Sequence, residues 1–181
     1  MKIIAFTGMP FSGKSVAVTI AKDMKIPVIR MGDMVWDEVK KRGLPINSET
    51  VGEIANDMRK TYGKDIWAKK TIEKIVLENI DDVLIIDGVR NSEEIDIFKN
   101  KLGADFKLIA IQTPDDIRHE RAMLRKRMDD TVDIETIKKR DKREINWGIK
   151  NVINQADIVV TNEGSVEVFQ DKIIQILKNN K

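Results

Sequence analysis

The chain has no cysteine, which excludes disulfides, thiolate-held zinc and a thiol nucleophile. Its single histidine, His119, is too few for a histidine-built metal site and reads as a surface residue beside a run of arginines. No apolar run approaches the ~20 residues a membrane-spanning helix requires, so no membrane partner is expected. Neither sign of charge dominates. Thirty-two Lys and Arg stand against 30 Asp and Glu, a formal charge of +2 that is too balanced for bulk electrostatic binding to nucleic acid or a membrane. Trp36, Trp67 and Trp147 are too few and too scattered for a nucleic-acid stacking platform, and core packing is the role expected of them. The first residues enter an apolar strand at once, which predicts no signal peptide and a cytoplasmic protein.

What is present is more specific. The 181 residues are enough for one domain, 1–181, with a sizeable core. Apolar runs at Ile3–Thr7, Val28–Arg30, Val83–Asp87, Phe106–Gln112 and Ile158–Thr161 are mostly continuous rather than alternating, as in strands buried on both faces of a parallel sheet. Helical stripes separate them, such as Ala68, Ile72, Ile75 and Val76, or Val166, Phe169, Ile173, Ile176 and Leu177. Thr113-Pro114-Asp115-Asp116 has the composition of a helix start, with threonine as the cap. The alternation predicts an α/β, three-layer α/β/α domain around a five-stranded parallel sheet. The interval 31–80 holds two or three helices and is an insertion placed to cover a ligand.

Gly8-Met9-Pro10-Phe11-Ser12-Gly13-Lys14-Ser15 is G-x-x-x-x-G-K-S, the phosphate-binding P-loop, set between the first strand and the stripe of Ala17, Ile20, Ala21 and Met24. Strand, glycine loop and helix are the context in which backbone N–H groups and a helix N-terminus converge on phosphate oxygens. Lys14 is placed for the β- and γ-phosphates and Ser15 for Mg²⁺. Ligands in such a sheet sit outside the carboxyl ends of the strands. There the second strand ends in Arg30-Met31-Gly32-Asp33, and the third in Asp87-Gly88-Val89-Arg90. Asp87, after four apolar strand residues, fits a Walker B aspartate for Mg²⁺, and equally a turn residue. Arg118, Arg121, Arg125, Arg127, Arg140 and Arg143 form a second signal. The first three are spaced to share a helical face, and the guanidinium fork suits phosphate oxygens. The competing reading is a solvated face paired with Glu120, Asp129 and Asp130.

These motifs together resemble the nucleoside monophosphate kinases, adenylate kinase among them, over nearly the whole chain. Gly32-Asp33-Met34, Asp87-Gly88-Val89-Arg90, Pro114-Asp115 with Arg121 and Arg125, Arg127-Met128-Asp129-Asp130 with Arg140, and Ala156-Asp157 to Gly164 carry the resemblance. The chain is similar too to an uncharacterised archaeal family of adenylate kinase-related proteins. The resemblance implies a P-loop NTPase of the nucleoside monophosphate kinase type, using ATP and Mg²⁺. It implies Arg121 and Asn162 near the adenine of ATP, and Arg125, Arg127 and Arg140 on the transferring phosphoryl. Arg30, Asp33, Arg90 and Glu94 then face the acceptor, an AMP-like monophosphate first.

Three departures qualify that carry-over. Arg125 and Arg127 are two apart, so the lid within 118–147 is short. Trp36 stands where the family has an arginine. Glu94 stands where it has the adenine-reading glutamine, and an ionised carboxylate cannot donate. A small lid and an aspartate near Asp33 also resemble dephospho-CoA kinase, whose hydroxyl acceptor benefits from a base. Asp33 is therefore open between base, water or Mg²⁺ positioning, and helix cap. A GTPase is disfavoured: Asn100-Lys101-Leu102-Gly103 lacks the guanine-reading aspartate, and no Asp-x-x-Gly occurs. A nucleotide-binding ATPase module acting with a protein or RNA is the other class, since a shrunken lid excludes water poorly. Acceptor and oligomeric state stay open.

Overall fold

The computed structural model describes residues 1–80, 82–102, 105–124 and 133–180. In chain order these form β1 (Lys2–Thr7), α1 (Lys14–Asp23), β2 (Val28–Arg30), α2 (Met31–Lys41), α3 (Ser48–Tyr62), α4 (Ile66–Leu77) and β3 (Val83–Asp87). There follow α5 (Ser92–Leu102), β4 (Asp105–Gln112), α6 (Asp115–Leu124), α7 (Ile134–Trp147), α8 (Ile149–Asn154), β5 (Ile158–Thr161) and α9 (Val166–Asn180). The five strands form one parallel sheet in the order β2-β3-β1-β4-β5.

The continuous apolar runs have the cause expected of them. Successive side chains of a strand face opposite sides of the sheet. Ile3 and Ala5 of β1, with Leu84 and Ile86 of β3, join a core shared with α2, α3, α4, α5 and α8. Ile4 and Phe6, with Val83 and Ile85, join the core beneath α1 and α9. Both faces are covered, so both sets are apolar, and the result is three layers.

The interval after β2 holds three helices. The first of the two behind α2, α3, starts on a capping box: Asn47 Oδ1 accepts from the N–H groups of Glu49 (3.0 Å) and Thr50 (2.9 Å), and the Thr50 hydroxyl reaches back to Asn47 N. Trp67, 1% exposed, anchors α4 in the core. Register then places the strand ends side by side. Phe6 of β1 lies opposite Asp87 of β3, and Arg30 of β2 lies opposite the same Asp87. The residues after β1, β2 and β3 therefore meet at the carboxyl end of the sheet.

Candidate active site

The loop between β1 and α1 is fixed by its carbonyls. Arg118 Nη1 donates to Pro10 O (2.9 Å), and Ser12 O accepts from both Thr113 Oγ1 (2.9 Å) and Asn162 Nδ2 (2.9 Å). A peptide is planar and trans, so its N–H points opposite to its C=O. Tying down these two carbonyls turns the N–H groups of Phe11 and Gly13 the other way, toward the cavity those residues line. Two glycines are required for this. Gly8 has φ 144°, and a Cβ there would stand 2.4 Å from Ile111 O; Gly13 has φ 111°, and a Cβ would meet Asn162 Nδ2 at 2.3 Å.

Thr113 thus donates its hydroxyl hydrogen to the loop. Arg118 differs more from expectation. It is 0% exposed and pairs with Asp115 (2.5 Å) and Asp141 (2.8 Å), so it neither shares a phosphate-facing surface with Arg121 nor lies on a solvated face. His119 is not a bare surface residue either: its Nε2 lies 2.9 Å from the same Asp141 carboxylate. A buried pair ties α6, α7 and the loop together.

The cavity in front of the loop, ≈ 260 Å³, is lined by Gly8, Pro10, Phe11, Gly13, Lys14 and Ser15, with Arg30, Asp87, Arg90, Arg140 and Glu144 closing it. Lys14 Nζ donates to Gly8 O (2.5 Å) and Met9 O (3.0 Å). Desolvation lowers its pKa from 10.5 to about 8, opposed by Asp87 and reinforced by Arg90. The Asp87 Oδ1 atom is buried without a hydrogen-bond partner among the described residues. A buried carboxylate oxygen in the cavity that Ser15 also lines suits a hard cation that prefers oxygen ligands; these residues fit Mg²⁺. Among the described residues there is no group of three or more His, Cys, Asp or Glu that could hold a metal without a substrate's oxygens.

A second hollow of ≈ 560 Å³ continues from Phe11, Gly13 and Ser15 to Arg121, Asn162, Val166 and Phe169. Arg121 Nη2 donates to Asn162 Oδ1 (3.4 Å), while its Nη1 is buried and without a partner among the described residues. Asn162, 5% exposed, is thereby both a buttress of the loop and part of this wall.

On the other side lies a smaller, more enclosed cavity of ≈ 90 Å³, between α2, α3 and α7. Arg30, Arg59, Arg90, Arg140 and Arg143 line it with Trp36, Trp147 and Glu144. Arg30 reaches Asp33 (3.4 Å) and Asp87 (3.8 Å). Arg90 donates from Nε to Glu144 (2.8 Å) and from Nη1 to Gly88 O (2.7 Å). Against the desolvation that lowers it, Glu144, Glu94 and Asp87 raise the Arg90 pKa. Burial raises the Glu144 pKa, but Arg90, Arg140 and Lys14 outweigh it and hold the carboxyl below its ordinary value.

Glu94 is placed differently from the expectation that it faces an acceptor. It is 0% exposed, accepts from Arg59 Nη2 (3.1 Å) and from Arg90 N (2.7 Å), and holds the two arginines in place. Trp67 fills the core as expected, whereas Trp36 and Trp147 are partly buried and line the cavity, Trp147 also packing against the core. Arg125 and Arg127 lie outside the described residues. Sequence reasoning missed Arg59, Asp141 and Glu144. For two of them a signal existed: Arg140, Asp141, Glu144 and Trp147 fall on one face of α7.

The profile of a family described as AAA domain matches residues 7–138. A protein of Archaeoglobus fulgidus named UPF0200/UPF0201 protein is 46% identical over 98% of this chain, which spans only 55% of that protein's length. UPF0200 proteins of Methanosarcina barkeri and Thermoplasma volcanium are 42% and 38% identical, over 99% and 97% of this chain and 96% of each of theirs. Shikimate kinase from Aquifex aeolicus superposes with a TM-score of 0.53 at 20% identity, covering 98% of this chain and 97% of that one; at such identity the likeness is one of fold.

Proposed function

Starting from a chain that belongs to the UPF0200 family and has a P-loop kinase-like fold, we propose that it transfers the γ-phosphoryl of ATP to a small acceptor in a Mg²⁺-dependent reaction. The observation that carries this reading is the pair of cavities, before the loop and between α2, α3 and α7, that meet at Arg30, Arg90, Arg140 and Glu144. One side is built for a nucleotide's phosphates, the other for a second anion. A pure NTP-binding module has no use for the second side.

Phe11 and Gly13 N–H groups and Lys14 hold the β- and γ-phosphates, and Arg121 and Asn162 border the adenosine. Ser15 and Asp87 would hold Mg²⁺, which would supply positive charge to offset that of the phosphates. Arg140, with Arg125 and Arg127 by resemblance, offsets charge on the transferring group. The acceptor oxygen bonds to the γ-phosphorus as the bond to the β–γ bridging oxygen breaks, and ADP leaves. A phosphate acceptor such as AMP reacts as its anion. A hydroxyl acceptor passes its proton to Asp33, then to solvent. Positioning and charge stabilisation supply the rate. The insertion 31–80 covers the acceptor, the 118–147 region acts as a short lid, and Arg30 and Arg90 bind the acceptor.

AMP is the acceptor the resemblance supports. A hydroxyl acceptor is favoured by one observation: Glu94, at the place of the adenine-reading glutamine, is buried and engaged by Arg59 and Arg90. The test is ADP formation from MgATP with AMP, other monophosphates and hydroxylated acids in turn. Acceptor-dependent ADP, abolished in Lys14→Ala, is expected. Phosphate release at one rate whatever acceptor is added would replace the kinase with an ATPase acting with a partner.

A further inference from the structure

We infer that the acceptor is a compact carboxylate or phosphate without a nucleobase, its anionic group seated among Arg59, Arg143 and Trp147 in the cavity between α2, α3 and α7. This rests on the phosphotransferase reading and narrows its acceptor.

Four observations converge. The cavity is ≈ 90 Å³ against ≈ 560 Å³ for the hollow at Arg121 and Asn162, and far below the ~300–1,000 Å³ of sites that enclose drug-sized ligands. Trp147, which lines the cavity with Trp36 and Trp67, is already covered by cations: guanidiniums of Arg59, Arg143 and Arg90 lie 4.3, 5.6 and 6.0 Å from its ring centroid.

The charge is unbalanced. Among the described residues five arginines line the space with one carboxylate, Glu144, and Asp33, Asp87 and Glu94 stand behind them. Arg59, whose side chain is 8% exposed, has its Nε buried without a partner among the described residues. Burial lowers the Arg59 pKa, Glu94 opposes this and Arg90 adds to it; an anion in the cavity would relieve that strain.

Finally, α3 is cut back at this point. A Cβ on Gly52 would stand 2.2 Å from Arg143 Nη1, so glycine makes room for a guanidinium that a larger residue would displace. Planar guanidiniums around a small enclosed space bind carboxylate or phosphate oxygens well and offer a purine no edge-reading amide.

Calorimetric titration of the protein saturated with Mg²⁺ and a non-hydrolysable ATP analogue tests this, with AMP, ribose 5-phosphate, D-glycerate and inorganic phosphate as probes. At least one baseless probe should bind tenfold or more tightly than AMP. Preference for D-glycerate identifies a carboxylate, and preference for ribose 5-phosphate or inorganic phosphate a phosphate. The preferred probe should lose tenfold or more in Arg143→Gln and in Gly52→Ala, each with a wild-type melting temperature. AMP binding as tightly as the small probes, or no probe binding at all, overturns the inference on the wild-type protein alone. Anion binding without any acceptor-dependent ADP would instead end the kinase reading and leave the anion site standing.

Discussion

The two halves of the site are made of different materials. On the phosphate side the working groups are main-chain: N–H groups of the loop, aimed by carbonyls that Arg118, Thr113 and Asn162 hold. On the proposed acceptor side they are long side chains, five arginines of which Arg30, Arg59 and Arg90 are held by ion pairs to Asp33, Asp87, Glu94 and Glu144. A main-chain site tolerates few chemistries, since its geometry is set before any ligand arrives. A site of guanidiniums is defined by its counter-charges, and one altered carboxylate reshapes it.

That contrast can be broken, beginning with its strongest element. Arg118→Ala leaves Asp141 without its main cation and frees Pro10 O. Breaking a buried pair of this kind costs about 3–5 kcal/mol of stability, to be read from denaturant unfolding. A loss under about 1 kcal/mol would mean the loop does not depend on that pair. Lys14→Ala removes charge beside the transferring group and should lower turnover roughly 10²–10³-fold in an ADP-formation assay. Asp87→Asn should raise the Mg²⁺ concentration for half-maximal activity roughly 10–100-fold, if Asp87 acts on the cation rather than only through Arg30.

The next effect is in pH. Lys14 in the free protein is charged below about pH 8, and a triphosphate binds the charged form. Affinity for an ATP analogue should therefore be full below that pH and fall as pH rises, by up to about tenfold per unit. Lys14 has the opposite effect on the free protein. Its folded pKa lies below the ordinary 10.5, so its contribution to stability rises between about 8 and 10.5. Titrations from neutral to alkaline pH check both signs, and Lys14→Met should abolish both. The smallest change is Asn47→Ala, which removes the cap of α3 beneath the acceptor cavity. It should cost about 1 kcal/mol of stability and weaken acceptor binding more than nucleotide binding.

The same contrast explains what could be read from the sequence. All five strands and the loop were legible, because each is written in consecutive residues: an apolar run, or eight positions of a motif. Asp87 was legible as a strand end. Arg59 and Glu94 were not read as a pair because 35 residues separate them, nor Arg90 and Glu144 across 54. Arg118 looked like its neighbour Arg121, and only packing shows that one holds the loop while the other faces the adjoining hollow. Trp36 and Trp147 were expected in the core because an indole is large and apolar. Guanidiniums stacked on Trp147 give its ring another use.

One helix touches both halves. Along α7, Arg140 lies over Phe11 of the loop (5.3 Å), Asp141 holds Arg118, Glu144 holds Arg90, and Trp147 donates to Asn56 of α3 (2.5 Å). A rigid rod cannot shift one of these contacts and leave the rest where they were. On the proposed reading nucleotide and acceptor act on a common lever, and linkage makes the exchange symmetrical: the factor by which the first alters affinity for the second equals the factor in reverse. Order of addition then becomes a property of a single 14-residue helix rather than of the two pockets it joins.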